Sequence, residues 1–109
     1  MIARLVLWDL TGSKATIEQL RDYIRDESVN AFGSVEGLRF KAWISDPATN
    51  RWGAFYVWDS RQAAEAPLPT RAGAIIGKDP EIAQFFDLEA TVEGRSAVEQ
   101  LSGLGLAFE

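Results

Sequence analysis

Between Gly37 and Asp59 the chain alternates apolar and polar residues with a period of two, breaks once at Asp46-Pro47-Ala48-Thr49-Asn50, and then resumes an aromatic-rich run. A two-residue period laid on a helix would scatter its apolar positions around the circumference, so the segment reads as two strands and a turn. In the first strand Leu38, Phe40, Ala42 and Ile44 share one face, and Arg39, Lys41, Trp43 and Ser45 share the other. Pro47 presets a type I turn and Asn50 tolerates positive φ, which makes the two strands antiparallel neighbours. Three of the four tryptophans lie in this hairpin. The first face suits a core, whereas the second sets cations beside aromatic rings and looks chemical.

Composition removes whole classes of function. The 109 residues include no cysteine and no histidine. Disulfide frameworks, thiolate nucleophiles, Ser-His-Asp and Cys-His catalysis, structural zinc and histidine-ligated haem are therefore not expected. The net charge of -5 disfavours a nucleic-acid partner, because neutralising phosphates takes clustered Lys and Arg. Apolar runs are short and broken by charges, and the start lacks a signal-peptide pattern, so no membrane association and a cytoplasmic location are expected. The length corresponds to one domain, residues 1–109.

Ile2 to Leu10 alternate as a strand, with Ala3, Leu5 and Leu7 opposite Arg4, Val6 and Trp8. Thr16-Ile17-Glu18-Gln19 forms a capping box, and Ile17, Leu20, Tyr23 and Ile24 make an apolar helical stripe that Gly33 is placed to end in a left-handed cap. After the hairpin, Asp59 or Ser60 caps a short helix through Arg61 to Glu65, which must stop near Pro67. A second helical piece from Thr70 ends at Gly77, and Ile82 to Glu89 reads as a fourth strand whose facing the pattern leaves open. Residues 90–109 are weakly patterned, with a helical turn expected around Ser96 to Leu101.

The order β-α-β-β-α-β is that of an α+β, ferredoxin-like antiparallel sheet with both helices on one face. On this reading the helix-free face carries Trp8, Trp43 and Tyr56 or Phe55, a larger apolar area than a monomer ordinarily exposes. A second copy of the chain, a ligand or single-stranded RNA would cover it.

Glu-Gly-Leu-Arg-Phe-Lys-Ala-Trp at 36–43, the Pro/Asn turn and Gly-Ala-Phe-Tyr-Val-Trp-Asp at 53–59 resemble the YdhR-type monooxygenases of the dimeric α+β barrel superfamily. The matching features are a glycine opening strand two, Lys41 and Trp43 as a Lys-x-Trp pair, and Gly53, Ala54, Tyr56 and Trp58 in strand three. The likeness spans about residues 1–90. The second helix is shorter than that pattern expects, and the histidine found in many cofactor-free oxygenases of the superfamily is missing. The resemblance implies a homodimer whose sheets close a barrel; residues 90–109 lie beyond it as a C-terminal extension, and the sequence leaves open whether they cross to the partner subunit. It also implies oxygenation of a small aromatic or polyketide-like substrate without a cofactor. Under it, Lys41, Tyr56 and Asp9 are the catalytic candidates, and Trp8, Arg39, Trp43 and Trp58 the substrate-binding ones.

Each of these residues also has a plainer reading. The tryptophans serve cores and dimer contacts, Lys41 and Arg39 a salt bridge or a cation–π contact, and Asp9 and Asp87 strand-end hydrogen bonds. The alternative function is a non-enzymatic homodimer that binds a small hydrophobic molecule. RNA binding is disfavoured, because Gly53-Ala54-Phe55 lacks a stacking aromatic that the RNA-recognition strand requires and Val6 stands where strand one needs another.

Overall fold

The structure, a computed structural model, describes residues 1–96 and 103–109. Strands β1 (Ile2–Asp9), β2 (Leu38–Asp46), β3 (Arg51–Trp58) and β4 (Ile82–Asp87) form one antiparallel sheet in the order β2-β3-β1-β4. This order is compatible with a ferredoxin-like fold. No helix among the described residues is long and apolar enough to cross a membrane.

Thr16 caps α1 (Ile17–Tyr23) through both hydrogen bonds of the capping box, a device contributing about 1 kcal/mol. The helix then widens into a π turn, Ile24–Ser28, before α2 (Val29–Phe32). Leu20, Ile24 and Phe32 are buried on the sheet side. Gly33 ends the helix as expected but in the right-handed region, with φ -61°, and the left-handed glycine is Gly37, at φ 81°. The turn behaves as the sequence predicts: Asn50 takes φ 55°. Ser60, not Asp59, caps α3 (Arg61–Glu65), and Gly77 closes α4 (Ala72–Ile76) in the left-handed region.

The assignment of sheet faces needs correction. The helices cover the aromatic face. Leu10, Leu20, Ile24, Trp52 and Ile76 form one buried cluster with Trp8 and Trp43 against it, and Phe32, Ala54, Tyr56 and Trp58 form a second. The helix-free face is the one expected to be core. It carries Leu5, Leu7, Phe40, Ile44, Phe55 and Phe86, with Phe40, Ile44 and Phe86 each at least 40% exposed. Packing accounts for the choice: the continuous helical segment Ile17–Phe32 sets Leu20, Ile24 and Phe32 against Trp43, Trp52 and Tyr56.

Leu38 leaves its expected face for a separate reason. A bulge at Arg39 sets Leu38 opposite Trp58 and Phe40 opposite Val57, so Leu38 joins the helix-side cluster while Phe40 stays on the other face. The pairing also settles β4. Phe85 lies opposite Arg4 on the helix side, and Phe86 lies opposite Ala3 on the bare side. In the tail, Ala107 of a 3-10 turn (Leu106–Phe108) packs against the first cluster of its own chain, and the turn expected near Ser96 to Leu101 falls largely outside the described residues.

Candidate functional site

Along the helix side of β3 the side chains run Trp52, Ala54, Tyr56, Trp58, and the gap in that series is the site. Ala54 supplies only a methyl group between two large rings, and its neighbour across β1 is Val6. The missing volume is a cavity of about 240 Å³ between sheet and helices. Trp8 and Trp52 wall one end, Lys41 and Tyr56 the other, and Trp43 the β2 side. Tyr23 and Ile24 come down from the helix, while Thr70, Ala72 and Gly73 close the remaining side. Pro67 and Pro69 end α3 early enough for the chain to return over the sheet here. The return is pinned where the Arg71 N–H donates to the Tyr23 hydroxyl at 2.8 Å.

Gly53 is forced by the same packing. A β-carbon there would stand 2.0 Å from the Val6 carbonyl oxygen and 2.9 Å from the Leu7 Cα, both backbone atoms that cannot step aside. Only glycine lets β3 approach β1 this closely.

Lys41 is the one cation among the described residues of the cavity wall. Its Nζ lies 3.3 Å from the Phe32 ring centroid, 4.4 Å from Trp43 and 4.5 Å from Tyr56. Among the described residues it has no ion-pair or hydrogen-bond partner, and burial pushes its pKa down to about 7. The ring faces oppose that shift, since each attracts an ammonium by ~1 kcal/mol. Burial likewise pushes Tyr56 up to about 12, partly offset by Arg4 on the neighbouring strand. Tyr56 therefore holds its proton at neutral pH. Trp58, only 1% exposed, stacks on Tyr56 at 5.9 Å and fixes its ring from behind. A second, open groove of about 740 Å³ runs along β2 to residues 103–108 and shares Lys41, Trp43, Ile24 and Trp52 with the cavity.

Compared with models of known protein families and with curated proteins, the sequence matches none.

The sequence candidates thus divide. Lys41, Tyr56, Trp8 and Trp43 meet around one cavity. Asp9 stands apart. Its carboxylate accepts from the Thr11 N–H at 2.9 Å, which with Arg51 at 3.7 Å holds its pKa below the usual range. Arg39 is exposed and pairs with Asp59, and Trp58 is core. Sequence reasoning missed Phe32, Tyr23 and Trp52 as parts of the site. Phe32 carried one signal, its place just before the predicted helix stop at Gly33. Nothing local indicated that it would lie over Lys41.

Proposed function

We propose that the cavity binds a small planar aromatic or polyketide-like molecule carrying an acidic phenol or enol, and that the protein oxygenates it without a cofactor. The observation that carries this reading is Lys41: a half-buried amine without a counter-ion among the described residues, on the wall of an aromatic cavity. A neutral amine accepts the substrate proton, and the ammonium so formed stays beside the anion it created. The aromatic walls hold the ring plane and keep water away. The substrate carbanion then gives one electron to dioxygen, and the two radicals join as a hydroperoxide. Loss of water leaves a ketone, so one CH₂ and one O₂ yield one C=O and one H₂O. Lys41 returns its proton to the departing oxygen, and Tyr56 remains a hydrogen-bond donor throughout. The resemblance to the YdhR-type monooxygenases supports the reaction type.

The apolar helix-free face supports a homodimer, in which two copies bury Leu5, Phe40, Ile44, Phe55 and Phe86 against each other. One observation favours a second reading, a binding protein without catalysis: Asp9, one of the three catalytic candidates of the resemblance, lies outside the cavity. Oxygen-electrode measurements with anthrone and with 1-hydroxynaphthalene decide between them. Uptake by the native protein that Lys41→Met abolishes is expected. Tight binding of these compounds with no uptake would leave the binding protein.

A further inference from the structure

We propose that Lys41 is also a carbonyl-capturing amine, whose Nζ forms a reversible imine with a small aromatic aldehyde or ketone seated in the cavity over Ala54. The site is suited to it in three ways. Nζ sits among the rings of Phe32, Trp43 and Tyr56, and among the described residues no carboxylate pairs with it. The cavity is walled mainly by carbon, so an aromatic ring can stack beside Trp8 or Trp52 with its carbonyl toward the amine. Tyr56, on the same wall, keeps its phenolic proton across the neutral range and is available as a donor to the departing oxygen.

In the capture step the amine lone pair attacks the carbonyl carbon, a C–N bond forms, and the C=O π pair moves to oxygen. Nitrogen gives up two protons, the oxygen leaves as water, and a C=N bond remains, with nothing oxidised or reduced. The lowered proton affinity of Lys41 favours the step, since a free amine is the nucleophile. No dioxygen takes part, so the inference stands independently of the oxygenase reading.

Only three lysines, Lys14, Lys41 and Lys78, and the Met1 amine compete. Native protein is incubated with benzaldehyde and sodium cyanoborohydride without oxygen at pH 7, and the adducts are located by peptide mass mapping. Labelling at Lys41 is expected to be at least about tenfold faster than at Lys14 or Lys78. The lowered proton affinity of Lys41 leaves much of it as free amine at pH 7, and the weaker nucleophilicity of a less basic amine offsets part of that advantage. Lys41→Arg removes the fast adduct. Ala54→Leu, which fills the cavity floor and leaves Lys41 in place, slows it. Should that variant not fold, the rate at Lys41 in the native protein decides: half-maximal near pH 7 is expected, and a profile still rising at pH 9 overturns the proposal. Equal labelling of all exposed amines overturns it too. Oxygen uptake without a Lys41 adduct overturns this inference and leaves the oxygenase; an adduct without uptake from any substrate does the reverse.

Discussion

The Nζ of Lys41 lies 3.3 Å from the centroid of the Phe32 ring, which joins the edge strand of the sheet to the last turn of the helix above it. A charge in that position is desolvated whenever the protein is folded and hydrated whenever it is not. The folded-state pKa is therefore the lower one, about 7 against 10.5. Between these values the unfolded chain binds the proton and the native one releases it, so stability contributed at Lys41 rises with pH by up to about 1.4 kcal/mol per unit. Among the described residues, the ionisable groups that line the cavity and groove with it are Tyr56 on β3, Tyr23 on α1, Arg21 on α1 and Arg39 on β2. Urea unfolding of native protein and Lys41→Met at pH 7, 8 and 9 isolates the effect. The native protein should gain on the variant at each step, and parallel curves would contradict the buried amine.

Two glycines give opposite expectations. Gly53→Ala places a methyl group into the Val6 and Leu7 backbone and should cost more than about 3 kcal/mol. Gly73→Ala in α4 meets nothing within 4 Å and should gain about 0.5–1 kcal/mol through the less flexible unfolded chain. Denaturant midpoints at constant m-value check both.

Phe86 pairs with Ala3 on the helix-free face and is 43% exposed. If that face joins two copies, Phe86→Lys buries two charges in the interface and should shift sedimentation at micromolar concentration from dimer to a monomer near 12.0 kDa, with unchanged circular dichroism. A native protein that already sediments as a monomer would end the dimer proposal.

Tyr23 accepts from the Arg71 N–H and so ties the start of α4 to α1 beside the cavity. Tyr23→Phe strands that donor and should cost roughly 1 kcal/mol while loosening the cavity wall. Hydrogen exchange at the Arg71 amide should quicken in the variant, and exchange at central β3 amides should not.

The parts of the fold with a local cause were legible in the residues. The capping box at Thr16–Gln19, the turn residue Asn50, the stop at Gly77 and the pairing of β2 with β3 are set by the conformational preferences of a few neighbouring residues. Part of the site was legible for the same reason, because Lys41 and Trp43 must share a face when a strand alternates. Phe32 and Tyr23 were not, since their sequence separation from Lys41 says nothing about how a helix lies on a sheet. The π turn at Ile24–Ser28 adds to the difficulty by shifting the helical register on which such a guess would depend.

By itself the sequence determined the strands, the pairing of β2 with β3, and, apart from Leu38 at its bulge, the groups of residues that travel together on a face of the hairpin. It also removed histidine and cysteine chemistry from consideration. Only the tertiary structure decided that the tryptophan face lies beneath the helices and that Leu5, Phe40, Ile44 and Phe86 are left outside. Alternation is symmetric under exchange of the two faces, so the pattern cannot say which one the helices take. That symmetry is broken by the connections that carry α1 and α4 over the sheet and by the volume left between them, into which Trp8, Trp43 and Trp52 fit and around which Ala54 leaves a cavity.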